Sequence, residues 1–155
     1  MTDELAWTFN YKIIDAPREV LYNAFLDPEA LTQWLPPDEM TGEMHSFDAR
    51  VGGGYRMSLF YPVEQAGRGK TNEREDSVIV RFVELTPPER IVQAVTFQSD
   101  DPACAGEMSF QASFEPVEGG TKVAILCTNL PPGIRREDNA AGCQVSLEQL
   151  ARYVG

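Results

Sequence analysis

The chain has a single histidine, His45, among its 155 residues. This excludes any site built on paired histidines. Its three cysteines, Cys104, Cys127 and Cys143, are scattered and form no CxxC pair. Neither a zinc knuckle nor a disulfide framework is written here, and no metal or cofactor is expected. Positive charge is also scarce, with 13 Lys and Arg against 24 Asp and Glu and a formal net charge of −11. A surface of that sign repels phosphate backbones and anionic membranes, so nucleic acid and membrane are excluded as expected partners. No apolar run approaches the roughly 18 residues that a membrane-spanning helix needs. The opening Met1-Thr2-Asp3-Glu4 is acidic and leads directly into a strand. It does not read as a signal peptide, and a cytoplasmic location is expected.

What is present is enough for one core. Apolar residues make up 43% of the chain, and a chain of this length is expected to fold as one domain over residues 1–155. Trp7, Phe9, Tyr11 and Ile13 follow Leu5 at period two, a strand with one apolar face. Asp15-Ala16-Pro17 stops it, with Asp15 or Ala16 as cap and Pro17 as first helical residue. Val20, Leu21, Ala24 and Phe25 mark a short amphipathic helix. Asp27-Pro28 repeats the signal ahead of a second helix carrying Leu31, Trp34 and Leu35, which Pro36-Pro37 ends. Six strands follow: Gly42 to Asp48, Gly53 to Tyr61, Ser77 to Leu85, Arg90 to Phe97, Glu107 to Phe114 and Thr121 to Thr128. The stretch from Pro62 to Asp76 reads as a polar excursion, and its cluster Glu73, Arg74, Glu75 and Asp76 as a solvated loop. Short connections imply antiparallel pairing.

The last quarter carries the strongest pattern. Ala140, Cys143, Leu147, Leu150 and Val154 recur at spacings of three and four, the stripe of a helix from about Arg135 to Val154 with one buried face. A strand meander closed by one long helix must lay that helix across the sheet, because the stripe has nothing else to cover. Over a curved sheet such a helix can enclose a cavity.

The order strand, helix, helix, six strands, helix, together with three motifs, resembles the START-like superfamily, also called SRPBCC. The motifs are Ala16-Pro17-Arg18-Glu19-Val20-Leu21-Tyr22-Asn23-Ala24-Phe25 followed by Trp34, then Asp48-Ala49-Arg50-Val51-Gly52-Gly53-Gly54-Tyr55, then Asp138-Asn139-Ala140-Ala141-Gly142-Cys143 with Ser146-Leu147 and Leu150-Ala151. The branch it looks like is that of bacterial proteins related to the activator of heat-shock protein 90 ATPase. The resemblance implies an α+β helix-grip fold: a curved seven-stranded antiparallel sheet, two short helices and a long C-terminal helix. It also implies that many relatives carry Trp where this chain has Cys143. Superfamily members include carriers, receptors, cyclases and co-chaperone domains, so fold alone does not assign function.

Candidate chemistry is sparse. His45 lacks a flagged nucleophile and acid, no serine sits in GxSxG, and a partly exposed strand histidine is the expected role. Val51-Gly52-Gly53-Gly54 lies between strands without a following Lys-Ser/Thr, so it reads as a tight turn or bulge and not as a phosphate loop. Arg50 is expected to pair with Asp48 or with a carboxylate on an adjoining strand. Cys127 and Cys143 read as apolar-lined, inert thiols. The leading expectation is a binding module for a small apolar or amphipathic molecule, in a cavity bounded by Trp34, Phe60, Val80, Phe82, Phe97, Met108, Phe110, Cys143 and Leu147. Two alternatives stay open. One is a cyclase- or hydrolase-type enzyme using that pocket with His45, Tyr55 or Tyr61. The other is a co-chaperone-like module with a chaperone partner, the chain itself being a monomer or homodimer.

Overall fold

The computed structural model describes residues 6–37, 39–62, 74–99, 101–104 and 106–155. Leu5, Glu73 and most of the expected polar excursion lie outside the described residues. The elements are β1 (Ala6–Ile14), α1 (Arg18–Ala24), α2 (Pro28–Trp34), β2 (Thr41–Asp48), β3 (Gly54–Phe60), β4 (Glu75–Thr86), β5 (Arg90–Gln98), β6 (Glu107–Val117), β7 (Gly120–Leu130) and α3 (Arg136–Val154). The seven strands form one antiparallel sheet in the order β1-β7-β6-β5-β4-β3-β2. This is the α+β helix-grip arrangement expected of the sequence. The register shifts in β1/β7 at Ala6/Thr8, in β2/β3 at Met44/Ser46 and in β4/β5 at Phe82/Glu84. Each irregularity bends the strand that carries it.

Local chemistry explains the boundaries. The Asp27 carboxylate accepts from the Glu29 and Ala30 amides at 3.0 and 3.3 Å, and Pro28 opens α2 without losing a hydrogen bond. At α1 the expected start moves by one residue, because Pro17 is itself the cap and Arg18 the first helical position. The turn before it is tied down, with the Ala16 amide donating to Ile14 O and Thr121 Oγ1 donating to Ala16 O at 2.8 Å. The glycine run is the expected turn and bulge. Gly52 has φ +86°, and a Cβ on Gly54 would collide with the carbonyl of Val80. Arg50 pairs with Asp48 at 2.7 Å on the exposed side of that turn.

The apolar alternation of β1 faces outward, contrary to the usual meaning of such a face. Trp7, Phe9, Tyr11 and Ile13 are exposed, with Arg136 over the Trp7 ring and Lys122 over that of Tyr11. The inner face is polar because α3 meets it through hydrogen bonds. Thr8 Oγ1 donates to Asn139 Oδ1 at 2.6 Å, and Asn10 Nδ2 donates to Ala140 O at 3.0 Å and Gln144 Oε1 at 3.2 Å. On its other flank α3 takes up carbonyls at the end of α2, which have no partner within that helix. Ser146 Oγ donates to Leu35 O at 2.7 Å, and Gln149 Nε2 donates to Trp34 O and Pro36 O, each at 2.8 Å. Leu147 and Leu150 fill the space between, as the stripe anticipates.

One end of the concave face is packed solid. Phe25 lies 4.7 Å from Trp34 and 5.3 Å from Phe114 between ring centroids, Tyr22 meets Phe114 edge-on, and Trp34 Nε1 donates to Ala24 O. The facing of β1 can be tested on adjacent isoleucines, Ile13 being 51% exposed and Ile14 3%. In chemical denaturation Ile14→Ala should cost about 2–5 kcal/mol and Ile13→Ala less than about 1 kcal/mol. Equal losses would show that the strand faces have been misassigned. At the α2 cap, Asp27→Ala should cost about 1 kcal/mol by the same measurement.

Candidate functional site: a cavity between sheet and helix

Beyond the aromatic plug the concave face stays open beneath α3, leaving a cavity of about 730 Å³. That lies within the roughly 300–1,000 Å³ typical of small-molecule sites. Period two turns Tyr55 and Leu59 of β3, Asp76, Val78 and Val80 of β4, Gln93, Val95 and Phe97 of β5, and Met108 and Phe110 of β6 toward it. Phe25, Leu31 and Leu35 close one end, and Asn139, Gly142, Cys143 and Ser146 of α3 form the roof.

Five of the nine residues expected at the cavity line it: Val80, Phe97, Met108, Phe110 and Cys143. Four lie elsewhere. Trp34 is buried against Phe25. Phe82 is buried, with Phe47 and Tyr55 each 6.0 Å away between ring centroids. Leu147 sits in the close-packed core. Phe60 has the opposite parity to Tyr55 and Leu59 on β3, so its side chain turns to the other face of the sheet.

The residues named for possible enzymatic work divide as well. Tyr55 and Tyr61 line the cavity, whereas His45 does not. His45 Nε2 lies 2.8 Å from Ser58 Oγ, which donates to Glu75 Oε2 at 2.6 Å. A serine and an acid do therefore stand near the histidine, which the sequence did not flag. The serine proton is directed to the carboxylate, and Ser58 is only 1% exposed, so this set is not poised for nucleophilic attack. Cys143 Sγ donates to Asn139 Oδ1 at 4.0 Å. The neighbouring Cys127 thiol, followed by burial, holds the Cys143 thiol well above its ordinary pKa and keeps it protonated.

The polar content of the cavity is what sequence reasoning missed. Asp76 is part of β4 and not of a solvated loop. It is buried, and its Oδ2 accepts from Tyr61 OH at 2.9 Å. Gln93 occupies an inward position between Ile91 and Val95, only 3% exposed, and its side chain makes no hydrogen bond among the described residues. The Tyr55 hydroxyl likewise has no protein partner among the described residues, and burial pushes its pKa well up, so it stays a neutral phenol. Gln93 could have been found from the alternation Ile91, Gln93, Val95, Phe97, in which it alone interrupts an apolar face. Charged groups in the described lining are mainly acidic: Glu39, Asp76, Asp101 and Asp138 against Arg135. No group of three or more potential metal ligands occurs among the described residues, and no helix there is long and apolar enough to cross a membrane.

Comparison with known proteins places this geometry in a family. The family model described as Activator of Hsp90 ATPase homolog 1-like protein matches residues 15–155. A comparison with curated proteins found no match. Among solved structures, a Chromobacterium violaceum protein shares 33% identity over 96% of this chain and 96% of its own, with a TM-score of 0.84. A Rhodobacter sphaeroides protein is similar at 20% identity, covering 96% of this chain and 91% of its own with a TM-score of 0.77. An AHSA1-like protein from Aeromonas hydrophila is similar at 18% identity, covering 96% and 92% with a TM-score of 0.71. The latter two show the fold alone. The family match spans both short helices, the sheet from β2 onward and the roof helix, and the chain belongs to the Activator of Hsp90 ATPase homolog 1-like family.

Proposed function

We propose that the protein binds a small apolar or amphipathic molecule in the cavity beneath α3 and carries out no covalent chemistry on it. The observation that supports this reading is the cavity of about 730 Å³ lined by Val78, Val80, Val95, Phe97 and Met108. Protein interiors close-pack and tolerate few voids. Apolar walls around so large a space fit a guest better than they fit a catalytic centre. The chemistry available agrees, since the Cys143 thiol stays protonated and the Tyr55 phenol neutral.

A second reading, a module that docks on a chaperone, draws on the family description and on the outward aromatic face of β1. Stimulation of a heat-shock protein 90 ATPase by the purified protein would favour it over the carrier.

The leading reading is tested at the roof. Cys143→Trp should fill the space under α3 and lower the affinity of an apolar fluorescent probe by about tenfold or more, equivalent to about 1.4 kcal/mol, while circular dichroism stays native. If the wild type binds no probe and the variant loses about 1–3 kcal/mol of stability, as an overpacked core would, the cavity is closed in solution and the carrier reading fails.

A further inference from the structure

We propose that Gln93 is the specificity residue of this cavity, selecting an uncharged apolar ligand that carries a hydroxyl or carbonyl oxygen and rejecting carboxylates. This rests on the reading of the cavity as a ligand site, and it adds the chemistry of the ligand.

The first observation is the amide itself. Gln93 lies on β5 with Phe82 and Phe110 as its register partners on the flanking strands β4 and β6. It lines the cavity, is almost wholly buried, and uses neither its carbonyl nor its NH₂ within the protein among the described residues. A polar group at such a position serves no packing purpose that leucine or methionine would not serve better. An amide both donates and accepts, so it pairs with a hydroxyl in either sense and with a carbonyl through its NH₂.

Tyr55 supplies a second hydrogen-bonding group. Its residue pairs with Val80, which pairs with Val95, two residues along β5 from Gln93. The phenol and the amide therefore look into one cavity from strands separated by β4. The two groups mark polar points beside Val78, Val80 and Val95 on the sheet wall, the pattern by which a pocket orients its ligand.

The sign of the lining decides what kind of oxygen is accepted. Glu39, Asp76, Asp101 and Asp138 outnumber Arg135 among the described lining residues, and Arg135 has Glu137 as a neighbour at 3.9 Å. An anionic head entering this cavity would lose its hydration without meeting a facing cation at Gln93. A neutral oxygen incurs no such charge penalty and gains the amide. Fatty acids and phosphate-bearing lipids are therefore poor ligands, while alcohols, phenols and ketones of suitable size are good ones.

The test uses three ring compounds of nearly one shape, naphthalene, naphthol and naphthoate, titrated by fluorescence anisotropy into the wild type, Gln93→Leu and Tyr55→Phe. The wild type should bind naphthol about tenfold tighter than naphthalene and at least about tenfold tighter than naphthoate. Gln93→Leu should bind naphthalene and naphthol equally, with naphthalene affinity unchanged or raised, and Tyr55→Phe should keep most of the preference. Should Gln93→Leu fail to fold by circular dichroism, Gln93→Met carries the same expectation. If the wild type binds naphthalene as well as naphthol, or Gln93→Leu keeps the preference, Gln93 is not the specificity residue although the cavity binds ligands. Naphthoate bound as tightly as naphthol removes the charge argument. If none of the three binds, the ligand-site reading itself fails.

Discussion

The suspension of α3 is the constraint on which the rest of the structure depends. The helix is fixed along one flank by Thr8 and Asn10 of β1 and along the other by the carbonyls of Trp34, Leu35 and Pro36. Hydrogen bonds have defined lengths, so they set the height of the roof in a way that non-directional apolar contact does not. With both flanks held, the helix does not sink to meet Val80, Val95 and Met108 on the sheet. The void follows from the anchoring, and it survives because collapse would leave several polar partners unpaired inside the protein.

This arrangement divides the concave face into halves with different duties. Where α1 and α2 fold over the sheet, Tyr22, Phe25, Trp34 and Phe114 interlock and carry the apolar burial that stabilises the domain. Farther along β4, β5 and β6, side chains such as Val80, Val95 and Met108 face the cavity. Gln93, Tyr55 and the Tyr61–Asp76 pair occur in that second half.

Much of the scaffold was legible in the sequence because it is written in periodicity. The strands of the sheet and the stripe ending at Val154 could be read from spacing alone, and Asp27-Pro28 marked the start of α2 to the residue. Cavity residues were harder, since parity decides which residues share a face but not which half of that face is filled. Val80 and Phe82 share a face of β4, yet one lines the cavity and the other is capped by Phe47 and Tyr55. β1 misled for a different reason. Its inner face had to be polar to hold the roof, a demand set by residues more than a hundred positions away, Asn139 and Ala140. Asp76 was obscured by its charged neighbours, which suggested solvent where the strand had already begun.

The outward aromatic face of β1 bears on how the chain is made. β1 is an edge strand, and among the described residues its ladder partner is β7, at Gly120–Leu130. During synthesis the segment Ala6–Ile14 therefore waits through more than a hundred residues before it can pair, and the roof that fixes its inner face emerges later still. In that interval it is a nine-residue stretch rich in aromatic and β-branched residues, with Lys12 as its one charge and no proline or glycine. Such a composition favours strand addition between chains. The nascent protein is thus vulnerable to aggregation at this strand. Lys12 is the one charge in the strand that opposes such pairing.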